Sequence, residues 1–457
     1  MTGSQLPISE MEASILHDPP RAGSHHVERI RDLAARLFAG RAEGYDAAAE
    51  FPAQDFDDLY RASLLSPCVP ERYGGLGLGP GHDTHTLWLM TVELARANMS
   101  LARCWEGHVN SQVLIAALGS NEQKERWFEG IVSRGDIWVA WSGEPQASVP
   151  GQKTAFGTSL ERAPGGYILR GTKAYATSAG HARRAILLVN AAGPGGARHA
   201  TASADDLFLL GCDLSQPGVS YDSSWWNPIG MRATVSYMAR FDDVFIPEED
   251  VIGRSGQYLQ ESWQTRFSPH YAATFLGGAE AAYEYALASI HKQKRAGDPY
   301  VAHRIAAMSL NIETAHLWLK HVADLWDCHP IEEAKAAAPK VRYLIERLAT
   351  ETLDHCIRAC GARALLKPSP VERIYRDLSL YVRHDNADHV LATVGQQLLG
   401  EKHDHSFFDP ARDASGNGAS SASSPSTESS RIPVARTASL TAREGRTAGP
   451  SLHGADT

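Results

Sequence analysis

Apolar residues recur every three or four positions over the first third of the chain, which is the spacing of one face of an α-helix. The first such series is Val27, Ile30, Leu33, Ala34, Leu37 and Phe38. A longer series runs through residues 86–119 without a proline and stops at Gly119, as two helices with a short break would. Ser120 and Gln123 then have the spacing of a capping box. We therefore predict an N-terminal helical domain over residues 25–135.

The pattern changes between residues 136 and 255, where short runs rich in β-formers are separated by Gly, Pro, Asn, Asp and Ser. Examples are "IWVAWS", "GYILRGTKAYATS" and "DLFLLGCDL". Runs of this length and composition predict strands. Because no helix-length stretch lies between them, the parallel crossovers of a doubly wound α/β domain are not expected. The prediction for this central domain is an antiparallel sheet or a small barrel.

The helical spacing returns between residues 256 and 405, in segments that each exceed twenty residues. They cover residues 272–295, 302–326 and 331–360. Several helices of this length predict an antiparallel bundle, which buries its broad apolar faces internally or against another subunit. Residues 406–457 are dominated by Ser, Ala, Gly, Thr and Arg, with too few apolar residues to offset the entropy of ordering. We predict a disordered tail there.

Composition and charge narrow the function classes. The 457 residues carry a formal charge of −9, which argues against a broad basic surface for nucleic acid. No apolar run approaches the ~18–20 residues that cross a bilayer, and the N-terminus lacks a signal-peptide pattern, so the expected location is cytoplasmic. Cys356 and Cys360 share a helix face, but their spacing is not that of a zinc site, so buried thiols and no metal are expected.

Five stretches carry a resemblance to a known family, and they occur in that family's order. They are "VPERYGGLGLG", "WSGEPQAS", "LRGTKAYATSAGHA", "WWNPIGMRATVSYMARFDDVFIPEEDVIG" and "VERIYRDLS". Together they resemble the acyl-CoA dehydrogenase superfamily, over residues from about 30 to about 400. The resemblance implies an α+β fold with an N-terminal helical domain, a central antiparallel β domain and a C-terminal four-helix bundle. It also implies a homotetramer.

The resemblance further implies a flavin, whose ring is a flat and mostly apolar plate with a polar edge. Trp141 and Ser142 at one strand end, with Thr177 and Ser178 at another turn, are the expected contacts to that ring. Taken alone, Trp141 also suits core packing and Ser178 a local turn. Arg295 is the expected contact to the flavin phosphate.

Two departures from the family's dehydrogenases point to a particular branch. Those enzymes usually carry a catalytic glutamate after the arginine–aspartate helix end, where it removes a proton as hydride leaves. This chain has "LYVRHDN" there, with His384 and Asp385 but no glutamate, and "RFSPHYAATFLGG" on the first bundle helix also lacks a carboxylate. The second departure is at residues 294–308, where "KRAGDPYVAHRIAAM" keeps the arginine of the dehydrogenases' R-x-F-G…Q pattern but not its Phe or Gln. The string "DPYV" and the His–Asp pair resemble instead the flavin-dependent monooxygenases of the dibenzothiophene monooxygenase type and related N-hydroxylating enzymes.

That branch implies reduced flavin, usually FMN, which a separate flavin reductase supplies. The flavin reacts with O2 to a C4a-(hydro)peroxyflavin and oxygenates a small organic substrate at sulfur, nitrogen or an aromatic carbon. His384 is the predicted catalytic residue, because a histidine titrates near neutrality and can both donate and accept. Ser178 and Asp385 are expected to assist it. A solvated loop residue is the other interpretation of His384.

On the second long N-terminal helix, His108 or Asn110 could face flavin or substrate, or be a satisfied core group. Arg232 is expected to form a local surface pair with Asp242 or Asp243. Two rival functions also stay open: an FAD-dependent acyl-CoA dehydrogenase with Asp385 as an unusual base, and a non-enzymatic member that keeps the fold for binding or assembly.

Overall fold

The computed structural model describes residues 24–145, 157–191, 207–385 and 387–401. Two consecutive helices form the centre of its N-terminal part. They are α4 (Thr84–Ala97) and α5 (Met99–Leu118), and the side chains of Asp83 and Asn98 cap their first turns. The short break predicted between two helices is at Asn98, which separates α4 from α5. Around this pair lie α1 (Ser24–Leu33), a π-helical turn (Ala34–Phe38), α2 (Ala39–Ala48), α3 (Ala53–Arg61) and α6 (Asn121–Arg134). The predicted capping box of Ser120 and Gln123 begins α6 and is confirmed.

A mixed sheet follows. Its strands are β1 (Trp138–Trp141), β2 (Ser159–Ala163), β3 (Gly166–Ala176), β4 (Arg184–Ala191), β5 (Leu207–Asp213), β6 (Val219–Asp222), β7 (Tyr237–Pro247) and β8 (Val251–Ile252). The order across the sheet is β6-β7-β3-β2-β4-β5-β8, and β1 also pairs with β4. Within the described residues, five strand pairs are antiparallel, as predicted.

The other two pairs correct the purely antiparallel prediction, because β4 runs parallel to both β1 and β2. The β2–β3 hairpin turns the chain back before β4, so β4 runs in the same direction as β2. Strand β3 is bulged between Lys173 and Ala176. At this bulge Tyr175 has a φ of 53°, so its exposed side chain turns out of the sheet's regular alternation.

Long helices make up the C-terminal part. After the short α7 (Gln257–Gln260) come α8 (Trp263–Lys292), α9 (Pro299–Cys328), α10 (Ile331–Cys360), α11 (Pro370–Tyr381) and α12 (Ala387–Leu398). Helix α8 packs against α9, α10 and α11 and also against α4 and α5. A Cβ at Gly277 would lie 2.3 Å from a backbone oxygen of α4, so only glycine permits this close helix contact.

The helix-to-strand transition occurs at Trp138 and the return to helix at Gln257. The predicted boundaries at 135/136 and 255/256 stay predictions, and the predicted tail, residues 406–457, lies outside the described residues. Cys356 and Cys360 are buried free thiols, as predicted. In the described part of the chain, no helix is both long and apolar enough to cross a membrane.

Candidate functional site

A cavity of about 430 Å³ lies where α5, α8 and the loop after α11 meet the sheet. Its size is within the range of roughly 300–1,000 Å³ that small-molecule pockets occupy. One wall is the sheet, with Trp141, Ser142 and Thr177; the other is helical, with Asn110 and His384. Five predicted site residues, distant in sequence, therefore line one cavity.

The sheet wall contains a chain of hydroxyl groups with a defined direction. Thr234 Oγ1 donates to the carbonyl oxygen of Met231 at 2.9 Å. A hydroxyl has one proton, so Ser236 must donate to Thr234 at 2.7 Å and Thr177 to Ser236 at 3.0 Å. The Thr177 oxygen therefore presents lone pairs to the cavity. Trp141 Nε1 donates to the Thr177 carbonyl at 3.0 Å, which fixes the same turn.

A buried ion pair holds the loop that carries Ser142. Lys173 Nζ on β3 donates to Glu144 Oε1 at 2.7 Å and to the Leu188 carbonyl at 2.6 Å. The Glu144 carboxylate also accepts from the backbone N–H groups of Gly157 and Thr158. Both side chains of the pair are buried. The loop between β1 and β2 is thus tied to the sheet on the cavity side.

The helical wall is built around His384. Its ring centroid lies 4.5 Å from that of Tyr271 and 5.7 Å from that of Tyr381. Arg103 Nη2 lies 3.5 Å from His384 Nε2, and because a guanidinium can only donate, that nitrogen must be an acceptor. His384 is accessible from the cavity although protein atoms surround it. Burial, followed by the charges of Arg103 and Arg342, holds the pKa of His384 well below its usual 6.5, contrary to the expectation that it titrates near neutrality.

Two arginines fix the His384 loop to the rest of the protein. Arg376, in the "YRD" stretch of α11, binds the Asp46 carboxylate at 2.7 Å and the Ile229 carbonyl at 2.9 Å. Next to it, buried Asp377 accepts from the backbone N–H of Met231. This helix end therefore anchors α11 to both α2 and the turn before β7. The second arginine is Arg342, fully buried on α10, which binds Asp385 through two nitrogens.

Four predicted site residues do not line the cavity. Ser178 is fully buried, with its side chain next to the thiol of Cys104. His108 is a satisfied core group that binds the Leu65 carbonyl at 2.9 Å and the Trp138 N–H at 2.9 Å. Asp385 is held by Arg342. Arg295 donates to the Ala359 carbonyl and to the carboxylate of Asp298.

The expectation for Arg232 was wrong. Its Nε donates to the backbone carbonyl of Asp46 in α2 at 2.9 Å, whereas Asp243 pairs with Arg170. The cause is local backbone geometry, because the residues on either side of the Arg232–Thr234 turn, Met231 and Val235, have positive φ values. The turn directs Arg232 toward α2 and away from β7.

Asn110 lines the cavity with its amide orientation fixed. Its Oδ1 lies 2.8 Å from Nδ1 of buried His270, and His270 Nε2 lies 2.7 Å from the Thr91 hydroxyl. An amide oxygen accepts, so His270 carries its proton on Nδ1. Its Nε2 then accepts from the Thr91 hydroxyl, for which it is the nearer acceptor, at 2.7 Å against 3.3 Å to the Leu87 carbonyl. Burial, followed by the charge of Arg103, lowers the pKa of His270 to about 3, so it stays neutral. The Asn110 amide N–H2 is left to point toward the cavity.

Three further residues at this end were missed from the sequence. Arg103 and Tyr381 line the cavity, and Glu106 lies directly behind them, fully buried. Glu106 Oε2 accepts from the Tyr381 hydroxyl at 2.8 Å and from Thr274 at 3.3 Å, and Oε1 accepts from Arg103 at 3.1 Å. Burial raises the pKa of Glu106 to about 7, although Arg103, Tyr381 and Thr274 act in the opposite direction. An Arg-x-x-Glu spacing within a helix that has no other Asp, Glu, Lys or Arg was the available signal.

Two family models match this chain. That of the acyl-CoA dehydrogenase N-terminal domain matches residues 25–135, and that of the acyl-CoA dehydrogenase C-terminal domain matches residues 270–389. Isovaleryl-CoA dehydrogenase of Solanum tuberosum is 25% identical over 78% of this chain and 84% of its own length. Dibenzothiophene monooxygenase of Rhodococcus erythropolis is 25% identical over 84% of this chain and 95% of its own.

A solved structure agrees with this assignment at the level of the fold. The FMN-bound dibenzothiophene monooxygenase of Paenibacillus sp. A11-2 superposes with a TM-score of 0.75 at 22% identity, and the match covers 84% of this chain and all of the other. The two family models together span just over half of the 457 residues. One matches the sequence before the strands and the other the sequence after them. The chain belongs to the acyl-CoA dehydrogenase family.

Proposed function

We propose that this protein is a flavin-dependent monooxygenase, which uses reduced flavin, preferably FMN, and O2 to oxygenate a small organic substrate at sulfur, nitrogen or an aromatic carbon. The observation that carries the proposal is the chemistry of the cavity wall. Among the described residues that line it there are arginines, tyrosines and His384, but no aspartate or glutamate.

This wall does not suit the dehydrogenase alternative. Removal of a proton next to a carbonyl needs a base within hydrogen-bond reach of that carbon. Asp385, the one carboxylate of the His384 loop, is 3% exposed and bound by Arg342 through two nitrogens. Glu106 is fully buried and bonded to Arg103, Tyr381 and Thr274. Neither carboxylate has an oxygen directed at the cavity.

The cavity fits a flavin ring. Ala140, Ala174 and Leu188 supply apolar wall on the sheet side, and the lone pairs of Thr177 Oγ1 supply a hydrogen-bond acceptor. The reduced ring carries N–H groups that the oxidised ring lacks, so an acceptor fixed in this direction favours the reduced state. Trp141, Ser142 and Thr177 are the residues that would hold the ring. When bound, the reduced flavin would supply the two electrons that activate O2.

His384 would act as a fixed hydrogen-bond donor. Its Nε2 faces Arg103 and its pKa is low, so the neutral ring carries its proton on Nδ1. A neutral donor beside an arginine stabilises negative charge that develops on an oxygen atom in the cavity. The Asn110 amide offers a second donor on the same wall. Both groups bind and orient, and neither acts as a strong base.

The proposal includes partners. Reduced flavin would come from a separate flavin reductase, and a cytoplasmic location suits that exchange. A homotetramer is supported by α9, on which Tyr300, Leu310 and Leu317 are 82%, 63% and 58% exposed. Such a stripe of large apolar side chains is typical of a surface that another subunit covers.

The test is anaerobic titration with photoreduced FMN and, separately, FAD, followed by rapid mixing with oxygenated buffer. We expect reduced FMN to bind and the mixture to show a transient absorbance unlike that of reduced or oxidised flavin. His384→Ala should abolish or shorten this transient. His82→Ala, exposed in the turn before α4, is the matched control and should leave it unchanged.

Two other outcomes would each establish a rival. Tightly held oxidised FAD that an acyl-CoA bleaches, with indifference to oxygen, would make the protein a dehydrogenase and Asp385 the next residue to replace. If neither flavin binds, and His384→Ala leaves the protein's behaviour unchanged, the fold serves binding or assembly.

A further inference from the structure

A buried carboxylate one residue behind the cavity wall is the feature that the proposed function leaves unused. Glu106 sits on α5 between two side chains that do line the cavity, Arg103 and Tyr381. A single hydrogen bond of 2.8 Å joins Glu106 Oε2 to the hydroxyl of Tyr381, a residue that lines the cavity. Buried carboxylates usually pair with an arginine for structural reasons, but such a pair does not need a further hydrogen bond to a tyrosine of a cavity wall.

We propose that Glu106 stores the proton for this site and exchanges it with the cavity through the Tyr381 hydroxyl. This inference rests on the proposed function for the reaction it serves, and it assigns Glu106 the part of a positioning residue that acts through Tyr381.

The step is balanced in protons. In the protonated state, Glu106 Oε2–H donates to Tyr381 Oη, and the tyrosine proton is free to point into the cavity. Tyr381 then gives its own proton to an acceptor atom there and takes the one from Glu106, so it ends as neutral as it began. Glu106 becomes a carboxylate, whose charge Arg103 compensates at 3.1 Å. A proton taken up from hydronium or buffer acid in the solvent, and passed back through the same hydroxyl, restores the first state.

The other titratable groups around Glu106 do not change charge near neutral pH. Burial raises the pKa of Cys104, on the same helix, to about 12. Burial likewise holds the pKa values of Tyr381 on α11 and Tyr271 on α8 well above 10. Beyond Arg103, the pKa of His384 lies well below 6.5. In this cluster of described residues, Glu106 is the group that can gain and lose a proton in the neutral range.

The experiment uses infrared difference spectra of the flavin-free protein between about pH 6 and about pH 8, on either side of the Glu106 pKa. We expect a carboxylic-acid C=O band that fades as the pH rises and is missing in Glu106→Gln. Tyr381→Phe should keep the band at a shifted frequency, because the acid loses its hydrogen-bond partner. Glu93→Gln removes another buried, arginine-bound carboxylate that lies on α4, and should leave the band unchanged.

A second readout uses the FMN-loaded protein. The rate of its oxygen reaction should depend on pH with an apparent pKa of about 7. Glu106→Gln and Tyr381→Phe should both remove that dependence and slow the reaction on the order of 100-fold, the usual size of a general acid–base contribution. Glu93→Gln should keep the wild-type pH profile, even if it lowers the unfolding temperature.

The failures can be told apart. If the band persists in Glu106→Gln, or if Tyr381→Phe leaves the pH profile unchanged, the proton store is refuted while flavin chemistry stands. If reduced FMN does not bind at all, the proposed function fails, and the infrared titration still decides whether Glu106 gains and loses a proton in contact with Tyr381; a band that does not change between about pH 6 and about pH 8 refutes the proton store.

Discussion

Replacement of Arg342 by methionine tests how the His384 loop is held. Arg342 is fully buried on α10 and serves several partners at once. Its Nε donates to Asp385 Oδ2 at 2.8 Å, its Nη2 donates to the Val382 carbonyl at 3.0 Å, and it forms an ion pair with Glu346. The guanidinium also lies 4.9 Å from the centre of the Phe275 ring. Methionine keeps much of the volume and removes the charge and all the donors.

The cost follows from what methionine leaves behind. Asp385 is 3% exposed, so without Arg342 its carboxylate is buried and uncompensated, and breaking such a pair costs about 3–5 kcal/mol. Glu346 is 14% exposed and adds little, since its carboxylate can reach water. We therefore expect Arg342→Met to lower the free energy of unfolding by about 3–5 kcal/mol. The double variant Arg342→Met/Asp385→Leu should recover much of this loss, because the uncompensated charge is gone.

The assay is urea unfolding followed by tryptophan fluorescence and circular dichroism. Arg347→Met, five residues along α10 and exposed, is the matched control and should change stability by less than about 0.5 kcal/mol. The penalty in Arg342→Met should shrink as the pH falls. The reason is that burial already raises the pKa of Asp385 above 3.8 in the wild type, and removal of the arginine raises it further, so that acid neutralises it. A loss below about 1 kcal/mol, or a double variant no more stable than the single one, would refute the reasoning.

Two further perturbations test the sheet wall and the bundle. Lys173→Met leaves Glu144 buried without its cation. We expect a loss of about 3–5 kcal/mol in unfolding free energy and weaker binding of reduced FMN in equilibrium titrations. Unchanged FMN affinity would contradict the role of this pair. In the bundle, burial alone would lower the pKa of His316, but Glu280 outweighs it and the net shift is upward. The His316–Glu280 pair therefore stabilises the fold fully below the unfolded histidine pKa of 6.5, and this contribution is lost as the pH rises through the pKa of folded His316. His316→Gln should thus lower the free energy of unfolding most in acid. An equal loss at every pH would contradict this prediction.

The fold was largely readable because each element has a local signal. The third long bundle segment, residues 331–360, coincides with α10 (Ile331–Cys360), and Ser120 begins α6 with the predicted capping box. The parallel pairing of β4 with β1 and β2 was not readable. Strand direction depends on how the intervening hairpin folds back, and no residue of β4 itself reports that.

The site residues likewise divide into those that the sequence could indicate and those that it could not. Motif order was sufficient to bring Trp141, Ser142, Thr177 and His384 to one cavity. The choice between His108 and Asn110 was not decidable from the sequence, because two residues along a helix point in nearly opposite directions and the helix rotation was unknown. In the structure the cavity-facing positions of α5 are Arg103, Gly107, Asn110 and Leu114, the spacing of one helix face.

Glu106 escaped prediction for a different reason. Its identity as a site residue depends on the Tyr381 hydroxyl, which is 275 positions away in sequence and reaches it only when α11 packs on α5. The pairing of Arg342 with Asp385 likewise depends on packing between segments that are distant in sequence, and no spacing rule could indicate it.

The charges around the cavity explain together why this loop suits oxygenation better than proton abstraction. Arg342 binds the carboxylate of the His384 loop, so Asp385 is not available as a base. Arg103 faces His384 Nε2, so the histidine stays neutral and can only donate into the cavity. The carboxyl group that pairs with Arg103 is placed one layer back, at Glu106. A cavity with donors at its surface and its carboxylates behind them stabilises a partly negative oxygen atom, whereas a dehydrogenase needs the reverse arrangement.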